Sequence, residues 1–193
     1  MTDLTTYISQ FGTPDAIIDY NGNDGLIAGI WGFEEIIECI NGTVYLNGKM
    51  KDGNPLDILQ NTLDIWSNNS DEISSIGYFS YDFKNILFPH IKFKSIKNTT
   101  PQFWFGKPKK MKKMKNLFII EPPFSASLFS KSQKLSKDQY FQSINQIKHH
   151  LSNGDVYQIN KTYPLNFEID GSAFELYSQM SWKIKPRRGF YLN

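Results

Sequence analysis

Neutral hydrogen-bonding side chains are closely spaced in the segment Gly154–Pro164, which reads GDVYQINKTYP. Its composition predicts a strand beginning at Asp155, and side chains two apart on a strand share a face. Gln158, Asn160 and Thr162 would therefore project together, away from the aromatic and apolar residues between them. Their amide and hydroxyl groups both donate and accept hydrogen bonds. A row of this kind facing a cleft would suit a polar small molecule, whereas one facing solvent would belong to a plain edge strand.

The titratable residues form no recognisable acid/base pair or nucleophile arrangement. Asp82 and Glu121 are isolated acids, with no neighbour placed to separate their pKa values for proton transfer. His149 and His150 fall on the exposed side of a predicted helix, and His90 stands alone. The sequence therefore predicts no catalytic residue and no metal ligand from spacing alone.

Composition excludes several classes of function. The 193 residues carry a formal net charge of only +2, so no chain-wide field draws in nucleic acid or an anionic membrane. The single cysteine, Cys39, lacks the Cys or His neighbours of a zinc site and is expected to be a small buried hydrophobe. Met1–Asp15 does not form a secretory signal, and no stretch approaches the ~18 apolar residues of a membrane helix. The sequence predicts a cytoplasmic protein with one domain over 1–193.

Short apolar runs between glycine and asparagine turns predict antiparallel strands. The predicted strands are Ala16–Tyr20, Leu26–Phe33, Thr43–Leu46, Ser75–Phe83, Gln102–Phe105, Leu117–Ile120 and Phe190–Leu192. Within Ser75–Phe83, Gly77 permits close approach of a neighbouring backbone or side chain. The basic run Lys107–Lys115, KPKKMKKMK, combines lysine with methionine rather than with stacking aromatics. That pattern favours a solvated hairpin tip or loop over a nucleic-acid site.

Capping residues followed by apolar side chains at helical spacing predict helices. The helix-start signals are Asn54 with Pro55, Ser136 with Gln139, and Ser172 with Glu175. The corresponding predicted buried faces are Leu56, Leu59, Leu63 and Trp66; Tyr140, Ile144, Ile147 and Leu151; and Phe174, Tyr177, Met180 and Ile184. Strands mixed with separate helices, without regular βαβ alternation, predict an α+β domain dominated by antiparallel sheet.

Several segments, in the same order, resemble one enzyme family. NGDVYQINKT at Asn153–Thr162 resembles the GDIYQVNLT motif of the anthranilate synthase and aminodeoxychorismate synthase component I family. The other similar segments are GYFSYDF at Gly77–Phe83, PQFWFG at Pro101–Gly106, FELYSQM at Phe174–Met180 and KPRRGFYLN at Lys185–Asn193. The resemblance spans essentially the whole chain and is strongest from Ser75 onward. It implies the antiparallel-sheet-rich N-terminal part of a large α/β sandwich, and the motif places Tyr157, Gln158, Asn160 and Thr162 beside a substrate or effector cleft.

The same resemblance implies a reaction. Family members replace the ring hydroxyl of chorismate with ammonia, using Mg²⁺ and a glutamine amidotransferase subunit as the ammonia source. The catalytic and metal-binding residues of the family lie in its C-terminal half, beyond the position of Asn193. The resemblance therefore predicts an incomplete domain that is inactive alone and binds no cofactor of its own. The alternative is a non-catalytic interaction module that binds an amidotransferase.

A regulatory tryptophan pocket occurs in many family members, and its positions here are degenerate. The corresponding stretches are Ile17–Tyr20, Leu26–Ala28 and Lys185–Arg188. Asp19 and Tyr20 occupy the end of the first stretch, and Arg187 and Arg188 the end of the last. A serine is replaced by Tyr20, an arginine by Leu26 and a proline by an arginine, so the resemblance predicts loss of tryptophan binding.

The motif also distinguishes the products made within the family. Members that make aminodeoxychorismate, in p-aminobenzoate and folate biosynthesis, resemble this chain at Asn160 and Thr162. Members that make anthranilate tend to have valine and serine at those positions. Lys161, where leucine is common, departs from the pattern. The resemblance predicts aminodeoxychorismate as the product, with anthranilate as the alternative.

Overall fold

The computed structural model describes residues 4–20, 26–68, 73–93, 100–115, 126–130, 135–186 and 188–193. These residues divide into two compact units. The first comprises 1–117 together with 186–193, and the second comprises 118–185. No helix in the described ranges is both long and apolar enough to span a bilayer. The prediction of a single domain over 1–193 stays a prediction.

The first unit contains a sheet with helices in the connections. Its strands are β1 (Ala16–Tyr20), β2 (Leu26–Ile40), β3 (Thr43–Leu46), β4 (Lys49–Lys51), β5 (Ile76–Phe79), β6 (Phe103–Lys115) and β9 (Arg188–Leu192). Its helices are α1 (Leu4–Phe11), α2 (Pro55–Ser67), the short 3₁₀ helix Tyr81–Phe83 and α3 (Lys84–Leu87). The antiparallel sheet and separate helices confirm the predicted α+β class, and β1 and β3 have the predicted bounds.

Strand β2 organises the sheet of the first unit. One of its edges pairs with β1 near Leu26 and with β3 near Ile40. Its other edge pairs with β6, from Leu26 opposite Lys115 to Cys39 opposite Phe103. Strand β9 extends the sheet beyond β1, while β4 extends it beyond β3. Every pairing is antiparallel, as predicted, but β2 continues well beyond the predicted end at Phe33.

Two clusters of buried side chains hold the sheet. In the first, α2 packs Leu59 and Trp66 against Ile37 and Phe103. The helix begins as predicted, because the side chain of Asn54 accepts hydrogen bonds from the first-turn amides. The second cluster contains Ala16, Ile30 and Ile76. Cys39 is fully buried in the first cluster, which confirms its prediction as a small core residue.

The basic run at Lys107–Lys115 is strand, and the prediction of a solvated loop was wrong. The run forms most of β6 and pairs with β2. Met111 lies opposite Ile30, and Met114 lies opposite Ile27. Because the two methionines are three residues apart, they lie on opposite faces of the sheet, and both faces are covered there. Met114 is fully buried, and Met111 packs against the cluster around Ile30.

The predicted strand Ser75–Phe83 is shorter in the structure. It is β5, which ends at Phe79 and is followed by the 3₁₀ helix Tyr81–Phe83. Gly77 is needed within β5, because an added Cβ would collide with the carbonyl oxygen of Trp104. The prediction of a close approach at this glycine is therefore confirmed. The predicted strand Leu117–Ile120 lies outside the described residues.

The second unit contains strands β7 (Ser127–Ser130) and β8 (Phe167–Asp170), which pair antiparallel. It also contains helices α4 (Lys137–Ser152) and α5 (Ala173–Ile184), and both begin with the predicted capping boxes. The predicted buried faces differ from those observed. In α4 no residue is buried, and in α5 the buried residues are Phe174, Ser178 and Ser181. Met180 and Ile184 are exposed instead, because the side of α5 that is buried is the one that carries Ser178 and Ser181.

Candidate functional site

The motif segment that follows α4 is not a strand. Residues 155–166 have no regular secondary structure, so the prediction of a strand beginning at Asp155 was wrong. A strand requires a partner for its backbone N–H and C=O groups, and no described strand forms a ladder with this segment. The alternation of polar and apolar residues is real, but alternation alone does not create a sheet.

Helix α4 nevertheless contacts residues 155–166 near both ends of this segment. Gly154, with φ +74°, ends the helix, and the amide of Asp155 donates to the carbonyl of His150 at 3.0 Å. The Asp155 carboxylate also contacts Nδ1 of His150 at 2.9 Å. Near the far end, the ring of Tyr163 meets the ring of Tyr140 edge-on, with centroids 6.2 Å apart. The segment therefore runs back along α4, from its last turn toward its first.

The polar side chains of the motif are accessible within the second unit. Gln158, Asn160 and Thr162 are all exposed, and Nε2 of Gln158 donates to Oδ1 of Asn160 at 3.3 Å. Tyr157 is fully exposed, at 105%. The structure brings Gln158 and Asn160 together but does not form a row of three on one strand face. Their assignment to a substrate or effector cleft stays a prediction.

The degenerate tryptophan-site positions meet on neighbouring strands of the first unit. Asp19 of β1 lies opposite Gly189 of β9, and Tyr20 lies between Leu26 of β2 and Arg188 of β9. Asp19 is 2% exposed and interacts with other groups. Asp19, Tyr20, Leu26 and Arg188 therefore lie on the adjacent strands β1, β2 and β9. Arg187 lies outside the described residues.

On the sheet face opposite α2, three side chains that the sequence analysis did not single out lie next to one another. Glu38, Trp104 and Tyr78 lie directly across from one another on β2, β6 and β5. Burial raises the pKa of the Tyr78 hydroxyl, and the negative charge of Glu38 raises it further. Trp104 also meets the ring of Phe33 edge-on, with centroids 5.1 Å apart. These three side chains could be identified only from the pairing of the strands, which the sequence alone does not give.

The remaining titratable residues of the sequence analysis are Asp82, Glu121 and the histidines. Asp82, predicted to be isolated, forms an ion pair of 2.8 Å with Lys84. His149 and His150 are exposed, as predicted, and Glu121 lies outside the described residues. Among the described residues, no group of three or more His, Cys, Asp or Glu side chains could hold a metal ion. No described residue is therefore assigned as a Mg²⁺ ligand.

Comparison with known proteins agrees with the family resemblance. The model of the family described as chorismate binding enzyme matches residues 15–193. The chain therefore belongs to the chorismate binding enzyme family. No curated protein sequence matches it.

A solved structure shows a similar fold. Anthranilate synthase component I from Streptococcus pneumoniae TIGR4 superimposes with a TM-score of 0.56 at 14% sequence identity. The match covers 84% of this chain and 46% of that chain, so this chain spans about half the length of its structural relative. At this identity the likeness concerns the fold alone.

Proposed function

We propose that this chain is the front part of an aminodeoxychorismate synthase component I. The complete protein would convert chorismate and ammonia to 4-amino-4-deoxychorismate, for p-aminobenzoate and folate biosynthesis. The observation that carries the proposal is the family match over residues 15–193, which includes the motif YQINKT. Chorismate is the proposed substrate, and a glutamine amidotransferase subunit is the proposed partner.

The choice of product rests on Asn160 and Thr162. An asparagine side chain offers both a donor and an acceptor, so it can hold a neighbouring loop or a ligand in a way that valine cannot. Nε2 of Gln158 already donates to Oδ1 of Asn160, which leaves the Nδ2 group of Asn160 available as a donor. In the complete enzyme we expect this donor to help position the ring of chorismate for amination.

Genetic complementation tests the product. The complete reading frame is expected to rescue a p-aminobenzoate auxotroph and not a tryptophan auxotroph. The double variant Asn160→Val, Thr162→Ser is expected to weaken rescue, whereas Asn166→Val, in the same exposed stretch but outside the motif, retains it. Rescue of the tryptophan auxotroph alone would assign the anthranilate branch instead.

The polypeptide of 193 residues is not expected to aminate chorismate by itself. Among its described residues, no group of three or more His, Cys, Asp or Glu side chains could hold a metal ion. Purified protein incubated with chorismate, Mg²⁺ and ammonia should give no product above an enzyme-free control by chromatography. Turnover in this assay would contradict the assignment of catalysis to residues outside this chain.

A non-catalytic module that binds an amidotransferase is the second candidate. The two candidates differ in the coding sequence that follows Asn193. Family-like acidic metal-binding motifs there would support the enzyme, and their absence from that frame and the other frames would support the module.

We expect no regulatory binding of tryptophan. A pocket for its ammonium and carboxylate groups needs placed polar partners, and Tyr20, Leu26 and an arginine replace them in this chain. Calorimetric titration of the complete protein with tryptophan should show no saturable heat. A micromolar dissociation constant would overturn this expectation.

A further inference from the structure

A pocket of about 370 Å³ lies in the first unit, between the β2–β3 turn and the start of α2. The lining residues with polar side chains are Asn41, Asn54, Asn85 and Gln102, and each of these side chains is an amide. Pocket volumes of ~300–1,000 Å³ are typical of small-molecule sites. No charged side chain contributes to this lining, in contrast to the lysine-rich strand β6.

Gln102 is the buried polar group that faces this pocket. The residue is only 9% exposed. Its Oε1 accepts a hydrogen bond of 2.7 Å from the amide of Gly42, and Sγ of Cys39 approaches the same oxygen at 3.4 Å. The Gly42 contact identifies the oxygen of the side-chain amide, because a backbone N–H can only donate. Nε2 is therefore on the other side of the amide, and it has no acceptor among the described residues.

The start of α2 does not favour an anion in this pocket. Oδ1 of Asn54 already accepts from the amides of Leu56 and Asp57, at 2.8 and 3.4 Å. Pro55 has no N–H, and the amide of Ile58 donates to the carbonyl of Asn54. These amides are therefore already engaged, and the carboxylate of Asp57 in the first turn would repel a negative charge. The chemistry of the pocket favours a neutral ligand.

We propose that this pocket binds a small neutral carboxamide. The carbonyl oxygen of the ligand accepts a hydrogen bond from Nε2 of Gln102, which otherwise lacks an acceptor. The ligand N–H groups donate to a side-chain oxygen of Asn41 or Asn85, because the oxygen of Asn54 is occupied. Its hydrocarbon part packs against Ile86 and Pro89. The inference does not depend on the proposed reaction, since no residue of the motif segment contributes to the pocket.

The test compares two molecules of the same shape that differ in charge. Cyclobutanecarboxamide and cyclobutanecarboxylate are titrated separately into the complete protein, labelled at isoleucine methyl groups. The methyl signal of Ile86 reports binding in the pocket. The carboxamide is expected to shift it saturably, with a dissociation constant on the order of millimolar for so small a ligand. The carboxylate is expected to bind at least about tenfold more weakly.

Two variants and a matched control complete the experiment. Gln102→Glu keeps an oxygen for the amide of Gly42 but removes the donor, and is expected to weaken carboxamide binding at least about tenfold. Asn85→Trp, at an exposed position on the rim, is expected to block the pocket without disturbing the Gln102 contacts. Asn61→Trp, on the exposed side of α2, should leave binding unchanged. The absence of a saturable shift, equal binding of both molecules, or unchanged binding in Gln102→Glu would each overturn the proposal.

Discussion

The indole Nε1 of Trp66 donates a hydrogen bond of 2.7 Å to the carboxylate of Glu35, which joins α2 to β2. Trp66 is only 4% exposed, so its N–H has little access to water when the carboxylate is absent. A buried donor without a partner costs about 1–3 kcal/mol. The contact therefore holds the helix over the sheet through one polar group as well as through packing.

Replacing Glu35 by leucine should destabilise the first unit by about 1–3 kcal/mol, because the indole N–H loses its acceptor. Glu35→Gln keeps an acceptor oxygen and is the matched control, with an expected change below about 1 kcal/mol. Urea unfolding followed by tryptophan fluorescence measures both variants. Equal stability of the leucine and glutamine variants would show that the hydrogen bond contributes little.

Gly77→Ala is expected to be severely destabilising, by about 3 kcal/mol or more, because the new Cβ would collide with backbone rather than with a movable side chain. Gly48→Ala provides the comparison. Gly48 has φ +73° and nothing within 4 Å of an added Cβ, so only backbone strain of about 1–2 kcal/mol is expected. If thermal unfolding shows similar losses for the two, the close approach between β5 and β6 is not what requires Gly77.

The thiol of Cys39 should not react with an aromatic disulfide reagent while the protein is folded. Its side chain is fully buried, and this burial raises its pKa above the usual value of 9.0, with the nearby Gly42 amide acting in the opposite direction. Little thiolate is therefore present near neutral pH. Ser67→Cys in a Cys39→Ala background places a thiol at an exposed position and should react promptly. Fast labelling of Cys39 in the native protein would contradict its core position.

The first unit should lose stability as the pH rises above about 10. Burial raises the pKa values of Tyr78 and Tyr191 above 10.0, and the charges of Glu38 and Asp15 respectively raise them further. Both tyrosines stay protonated in the folded chain at pH values where the unfolded chain ionises, so their contribution is complete below the unfolded pKa. This stabilising contribution declines as the pH rises through the pKa values that the tyrosines have in the folded chain. Tyr78→Phe should reduce this alkaline sensitivity in denaturant titrations at several pH values.

Local signals predicted the elements that have local causes. The Asn-Gly turns around Thr43–Leu46 are observed, with φ values of +51° at Asn41 and Asn47. The N-cap at Asn54 and both capping boxes are also present. Each of these depends on residues within a few positions of one another, so a single sequence contains the required information.

Elements that depend on distant partners were predicted less well. Lys107–Lys115 forms a strand because β2 supplies its hydrogen bonds and because methionines three apart cover both faces, which breaks the two-residue alternation of a half-buried strand. Residues 155–166 have the alternation but no partner ladder. The family resemblance in the sequence was enough to align the stretches that contain Asp19 and Arg188. The proximity of Glu38 and Tyr78 could be recognised only once the pairing of their strands with β6 was known.

The long pairing of β2 with β6 has a consequence for synthesis of the chain. Cys39 needs Phe103 as its partner, and Ala16 needs Leu192, yet at about 5–20 residues per second the later strand of each pair leaves the ribosome seconds after the first. During that interval, the apolar strands β1 and β2 each present an unsatisfied edge. Nascent chains are therefore expected to depend on chaperones, and refolding in vitro is expected to be slow because these contacts close long loops.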